Sequence, residues 1–366
     1  MHVSNSRPGR SPQRPSSVVK SPLRLLLYAA VPDEQMLSQG FYAAEAEGLR
    51  AHPEVASVAA TNRLRNVATE TYDGLITYFY SHSAAATLIA RLRGRRAVAT
   101  GGGEQLFANL AASRWRYRLR LLAFHLTTMA ASRLLATSTT DLTQMRKLAL
   151  FGQNKIALSY HGAPAVDASL EKGGSFQLAS PDARASRPPA SLITICGLDT
   201  EQNVRRKGVL EAVDLLARFR EYIPAASLTI IGRTTRQDMV EERARLGGVA
   251  DGVRFAGYVS EEQKLALLDT HRFYIQLSEY EGFGIGALEA LARGCHIIHS
   301  GAGGLRDTVA SYGTVLRPEE VGSADIPALI AAAEGSSADL NAHLVQFTTR
   351  ARADSIIAAL REMPSR

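Results

Sequence analysis

Arg272-Phe-Tyr-Ile-Gln-Leu-Ser-Glu-Tyr-Glu-Gly-Phe-Gly-Ile-Gly-Ala-Leu-Glu-Ala-Leu-Ala-Arg-Gly-Cys-His-Ile-Ile-His299 is the stretch on which the reading of the fold turns. An apolar strand over 272–277 runs into a glycine-rich turn, a helix covers 285–293, and a second strand covers 296–299. Strand, helix and strand in this order form the repeating unit of a parallel α/β sheet. Gly282, Gly284 and Gly286 remove side chains where a ligand's oxygens would approach. The amides at the helix start favour an anion such as a diphosphate. Glu281 precedes the turn, and Glu289 lies roughly 7–8 Å along the helix at 1.5 Å rise per residue. Two carboxylates flanking a phosphate cradle suit a molecule with hydroxyls at both ends, as in a nucleotide sugar. As a dinucleotide fingerprint the turn is poor, because Ala287 stands where a third glycine would fall.

The same rhythm extends outward in both directions. Upstream, strands at 191–196, 227–232 and 253–256 alternate with helices at 208–222, 236–246 and 261–269. The first half alternates as well, with strands at 25–31, 55–59, 74–78, 96–99, 133–138 and 155–159. Helical spacing there covers 83–93 and 109–128. Residues 1–22 are rich in Ser, Pro and Arg without periodicity and read as a disordered tail. Residues 167–190 are polar and rich in Gly, Ser and Pro, and read as a linker or surface loop. The expected architecture is α/β, with two Rossmann-like doubly wound domains, 23–166 and 191–337, facing across a cleft. A C-terminal segment, 338–366, falls outside the strand–helix rhythm; its helix, near 338–362, is free to lie back on the first domain.

Composition fits two such domains. The chain has 366 residues, of which 46% are hydrophobic and 21% charged. No apolar run reaches the roughly 18–20 residues that span a bilayer. Arg14, Lys20 and Arg24 precede the apolar run at 25–31, but no small-residue cleavage site follows, so a cytoplasmic location is expected. The two cysteines, Cys196 and Cys295, read as reduced, packed thiols. No Cys/His cluster has metal-ligand spacing and no Asp-x-Asp pair occurs, so no bound catalytic metal or other cofactor is expected. The net charge of +7 concentrates between Arg91 and Arg120, where eight arginines accompany one acid, Glu104. Such a segment suits an anionic membrane surface, giving a peripheral inner-face location, or an ordinary solvated face; nucleic acid is the weaker reading.

From about Ile193 to Arg317 the chain resembles the retaining glycosyltransferases of family 4, the glycosyl transferases group 1, which adopt the GT-B fold. The resemblance rests on ordered blocks: Arg205-Arg-Lys-Gly208, Leu228-Thr-Ile-Ile-Gly232, Val253-Arg-Phe-Ala-Gly-Tyr-Val259, Glu281-x7-Glu289 and Gly301-Ala-Gly-Gly-Leu305. In the first half only the rhythm agrees, with Ser38-Gln-Gly40 after the first strand and 155–162 closing the domain.

The resemblance implies roles. Glu281 contacts hydroxyls of the donor sugar, and Glu289 holds the ribose. The donor lies along Gly282, with the amides of Phe283, Gly284 and Ile285 meeting sugar and phosphates. Gly40 approaches the donor from the first domain. Lys207 meets the diphosphate, with Arg206 or Arg205 as its partner. Leu198 stands where the family carries an arginine. The family's first-domain histidine is missing from 100–103, which leaves His82 and His125 as replacements or as plain loop and packing residues. The implied reaction moves a hexose-type sugar from a UDP- or GDP-linked donor to a glycan or lipid-linked acceptor, with retention and without metal. A nucleotide-sugar isomerase or epimerase on the same fold, or a non-catalytic nucleotide or glycan binder, are the competing expectations.

Overall fold

The structure is a computed structural model that describes residues 21–32, 36–37, 40–101, 103, 106, 114–170, 181–334 and 340–362. The expected tail to residue 20, Ser38, Gln39, Gly102 and the 171–180 part of the expected linker lie outside the described residues.

Two six-stranded sheets carry the chain. The first contains β1 (Leu23–Tyr28), β2 (Val55–Thr61), β3 (Gly74–Tyr78), β4 (Arg96–Thr100), β5 (Arg133–Ala136) and β6 (Ile156–Leu158). Its order is β2-β1-β3-β4-β5-β6 and every pairing is parallel. The second contains β7 (Ser191–Ile195), β8 (Ser227–Ile231), β9 (Val253–Gly257), β10 (Phe273–Gln276), β11 (His296–His299) and β12 (Gly313–Val315). Its order, β12-β11-β10-β7-β8-β9, is also parallel throughout. The expected two doubly wound domains are present. The central strands β3 and β10 are buried along their whole length because helices cover both faces. In each sheet the strand order reverses beside the first strand of the domain, between β1 and β3 and between β7 and β10. Crevices at such switch points are where open α/β sheets bind ligands.

The chain crosses between domains earlier than composition suggests. The helix Pro164–Ala168 already packs on the second domain, with Ala163 and Val166 in one core with Leu288 and Ala292. Within the nominal linker, the Arg187 guanidinium is buried and donates to the carbonyls of His271 and Arg293. The polar composition around it concealed an anchor.

The return crossing breaks the expected single C-terminal helix. Leu340, Leu344 and Phe347 pack in the second domain. Thr348 then caps a new helix, Thr349–Arg361, by accepting from the Ala351 amide. Ala353, Ile356, Ile357 and Leu360 form its buried stripe and join Leu25, Leu27 and Ile76 in the first core. The two crossings lie side by side, where the Ala163 amide donates to the Phe347 carbonyl at 2.9 Å.

Candidate active site

The chemistry of the second switch point begins with the loop after β10. Gly284, at φ +88°, turns the chain and begins the helix Ile285–Ala292, which is buried on every side except at Ile285. The first amides of such a helix lack intrahelical acceptors and point toward the preceding loop. A second loop fixes this one from beneath. The Gly304 amide donates to the Glu281 carbonyl at 2.7 Å, and a Cβ at Gly303 would sit 2.0 Å from that oxygen. The block at 301–305 is therefore a backbone cradle for Glu281.

Glu281 is only 6% exposed, yet its carboxylate borders the interdomain cleft. The Lys207 ammonium and the Gln276 amide each donate to its Oε2 at 2.6 Å. Burial pushes this carboxyl up, but the Lys207 charge and hydrogen bond prevail and hold it below the ordinary glutamate value. Lys207 ends the short helix Glu201–Arg206 and precedes Gly208, the left-handed start of the next helix. A Cβ at Gly208 would overlap the Leu277 carbonyl at 2.1 Å, so this glycine brings Lys207 against the Glu281 loop.

Glu289 faces the same cleft and is 2% exposed. Its carboxylate oxygens lie 2.9 and 2.8 Å from the Lys264 ammonium. Burial pushes the Glu289 carboxyl above its ordinary value against the pull of Lys264. Lys264 pays its own desolvation, but Glu289 and Glu261 together hold its ammonium protonated. The cleft, about 250 Å³, is closed by Ile231, Gly232, Tyr258 and Val259 from the second domain and by Gly40, Phe41 and Pro164 across from them.

The structure brings Glu281, Lys207, Glu289, Ile285 and Gly40 together along one cleft. Gly282, Phe283 and Gly284 form the loop behind it, with the Phe283 ring buried. Arg206 lies elsewhere: its guanidinium is buried behind the loop and donates to the Tyr280 carbonyl, while its own carbonyl accepts from the Glu279 amide. Arg205 points to solvent and pairs with Glu201. Leu198 is fully buried in the core, so that position packs. His82 is exposed 6.4 Å from the Phe79 ring, and His125 sits between Phe124 and Phe151. Neither lines the cleft.

Sequence reasoning missed three residues of the cleft wall and a histidine packed beside it. Lys264 and Gln276 come from separate elements and meet the two glutamates only in the fold. Tyr258 presents an exposed ring at the cleft wall. His161 lies at the first crossing between the rings of Phe41 and Phe283, at 5.1 and 5.4 Å. Burial and then the Arg352 charge hold its imidazole neutral. The domains also touch directly: the Thr139 amide and hydroxyl donate to Asp307 at 2.9 and 2.7 Å, and the Tyr280 hydroxyl meets Asp141. Asp307 thereby supplies negative charge at the start of the helix Thr139–Leu148. Both cysteines are buried and unbridged, with thiols pushed up to about 12 by burial. Among the described residues no three His, Cys, Asp or Glu side chains converge as a metal site, and no helix is long and apolar enough to cross a membrane.

Comparison with known proteins bears on both the segment and the fold. Residues 201–343, which contain Lys207, Lys264 and both glutamates, match the model of the family described as glycosyl transferases group 1. The glycogen synthase of Mycobacterium tuberculosis is 38% identical over 128 residues, covering 34% of this chain and 30% of that protein. The GDP-mannose:cellobiosyl-diphosphopolyprenol alpha-mannosyltransferase of Xanthomonas campestris is 33% identical over 90 residues, 24% of each chain. The chain thus spans under a third of the length of these curated relatives. Similarity of fold runs much further. Sucrose-phosphate synthase of Thermosynechococcus elongatus superposes with a TM-score of 0.67 at 18% identity, covering 92% of this chain and 98% of that one. HepE of Anabaena, in complex with UDP-glucose, gives 0.68 at 16% identity, covering 93% and 100%. The fold is that of the GT-B glycosyltransferases.

Proposed function

We propose that this chain is a retaining glycosyltransferase that moves a hexose-type sugar from a UDP- or GDP-linked donor to a glycan or lipid-linked acceptor, without a bound metal. The observation that carries the reading is the Lys207–Glu281 pair at the second switch point, a half-buried ammonium and a buried carboxylate 2.6 Å apart and open to the cleft. A glutamate held ionised accepts hydrogen bonds from neutral sugar hydroxyls strongly. The neighbouring ammonium and the amides of Phe283, Gly284 and Ile285 suit the diphosphate. Glu289, at the other side of the cleft, accepts from the ribose, and the exposed Tyr258 ring offers a face for the base.

In this mechanism the protein supplies position and charge. As the nucleoside diphosphate leaves, negative charge grows on its β-phosphate. Lys207 and the loop amides meet that charge better in the transition state than in the ground state, which is what lowers the barrier. The acceptor hydroxyl enters on the face the diphosphate leaves, and a phosphate oxygen takes its proton. Two relatives support the range of donor bases, since one structural neighbour holds UDP-glucose and one sequence relative is named for GDP-mannose.

The deciding experiment incubates the chain with UDP- and GDP-sugars and candidate acceptors, following nucleotide release and product. Acceptor-dependent release with an α-linked product from an α-linked donor supports the proposal. An isomerised donor without transfer identifies an isomerase. Donor binding without turnover, whatever the acceptor, identifies a non-catalytic binder.

A further inference from the structure

The helix Arg114–Ala130 carries two apolar faces. Phe124, Thr127 and Thr128 are buried against the first domain. On the opposite side Trp115, Leu119, Leu122, Leu126 and Met129 follow one another at steps of four and three, each 47–60% exposed. At 3.6 residues per turn these five side chains form one stripe along a helix roughly 25 Å long. Leu88 and Leu92 on the neighbouring helix Ala84–Leu92, with Leu150 and Phe151, widen the patch and are 50–79% exposed. A groove of about 880 Å³ runs between Leu88, Leu126, Met129 and Phe151. Contiguous apolar surface of this kind marks an interaction site.

Its surroundings are basic. Arg114, Arg116 and Arg118 are exposed around the stripe, and the Arg116 guanidinium stacks 5.5 Å from the Trp115 ring. Residues 84–92, 114–130 and 148–155 contain no Asp or Glu. Three other arginines of the cluster serve elsewhere. Arg91 donates to the Met129 carbonyl, Arg93 to those of Val67 and Glu70, and Arg96 to that of Leu360. Lys155 binds the carbonyls of Thr128, Met129 and Ala131. These cations cap helix ends and hold chain segments together, so the surface charge concentrates on the first two turns of 114–130.

We propose that this face docks on an anionic lipid bilayer. The stripe lies in the boundary between headgroups and acyl chains, and the arginines reach up to the phosphates. A second copy of the chain is a poorer occupant, because a seam of paired helices brings no acid to the arginines in either orientation. The geometry also orients the site. The helix enters β5 at its amino edge, so its arginine end lies toward the carboxyl edge of the first sheet, where the cleft opens. Docking there holds the cleft beside the bilayer surface.

The test needs no turnover, so it stands or fails apart from the sugar-transfer reading. The full chain is sedimented with phosphatidylcholine vesicles, plain or doped with phosphatidylglycerol. Binding to the doped vesicles alone, weakening with salt, is expected. Arg114→Gln, Arg116→Gln and Arg118→Gln should each weaken it about fivefold. Leu119→Glu with Leu122→Glu should abolish it while the thermal midpoint holds, because both side chains are exposed; should that variant misfold, the arginine series decides. Equal binding to both vesicles, or to neither, overturns the proposal. A dimer that the Leu119→Glu/Leu122→Glu variant dissociates also overturns it and makes a second copy the occupant.

Discussion

The Lys207 ammonium lies 2.6 Å from the Glu281 carboxylate, and both belong to the wall of the interdomain cleft. Each offsets the charge of the other. In the proposed reaction each also has an opposite-sign task, the cation at the diphosphate and the carboxylate at the sugar hydroxyls. On that reading the pair is a preassembled site whose partners differ in duty while staying in contact.

Lys207→Ala and Glu281→Ala should fail differently. Glu281→Ala removes the carboxylate proposed to accept from the donor sugar's hydroxyls and is expected to lower kcat by about 10²–10³, the cost of losing one well-placed electrostatic contact. Lys207→Ala should do the same and also weaken free nucleoside diphosphate, read by calorimetry. It also leaves a buried carboxylate without its cation, so unfolding by urea should come earlier, by about 3–5 kcal/mol. Wild-type turnover in Glu281→Ala would remove it from the mechanism.

The two glutamates respond to pH in opposite senses. Glu281 sits below the ordinary 4.5 in the folded chain, so its stabilisation is full above 4.5 and is lost as pH falls through the lower folded value. Glu289 sits above 4.5, so the folded state favours its neutral form, and that stabilisation is lost as pH rises through the raised value. Glu289→Gln should therefore become more stable relative to wild type as pH rises from 4.5 through that raised value, measured by denaturation at a series of pH values. If Glu289 holds the ribose as proposed, the same variant should bind nucleoside diphosphate about 10- to 100-fold more weakly, since the ribose hydroxyls lose a charged acceptor.

Gly303→Ala and Gly40→Ala form a matched pair, both at φ +58°. At Gly40 nothing lies within 4 Å of the added carbon, so only backbone strain is incurred, about 1–2 kcal/mol. At Gly303 the carbon meets the Glu281 carbonyl at 2.0 Å and must displace the loop. Gly303→Ala, which adds that displacement to the same strain, should lower both kcat and the thermal midpoint more than Gly40→Ala. Equal activities would show that the Glu281 loop tolerates displacement.

Much of this was legible in the residues. Period and turn chemistry located every strand except β12, and the glycines at 282–286 marked a turn of close backbone approach, because backbone proximity leaves a local trace. What escaped depends on separation. Lys264 lies 25 residues before Glu289 on another helix, and nothing in its own neighbourhood distinguishes it from a solvated lysine. The segment 91–120 reads as one basic block, yet its first arginines bind carbonyls while later ones face solvent. The nominal single C-terminal helix breaks at Thr348, where the chain passes between two cores that only tertiary packing creates.

Arg352 supplies the sharpest test of that crossing. It is 2% exposed and bonds four groups of the first domain: the Glu45 carboxylate at 2.6 Å, the Ser159 hydroxyl and carbonyl at 2.7 and 3.1 Å, and the Thr100 hydroxyl at 2.7 Å. Glu45 also accepts from the Tyr78 hydroxyl, so the arginine joins a network already anchored in the helix Gly40–Arg50 and in β3. Arg352→Ala strands a buried carboxylate and should cost about 3–5 kcal/mol in urea unfolding. Arg350→Ala, one turn's fraction away, breaks only an exposed pair with Asp354 and should cost about 1 kcal/mol or less. Arg352→Met combined with Glu45→Leu should recover part of the loss, because the stranded charge is gone. If Arg352→Ala and Arg350→Ala were equally stable, the terminal helix would be an accessory to the first domain. A large difference, with protease cleavage appearing first within 23–166, would make it a structural part of that domain, joined to it by charge as well as by the Ile356 and Leu360 stripe.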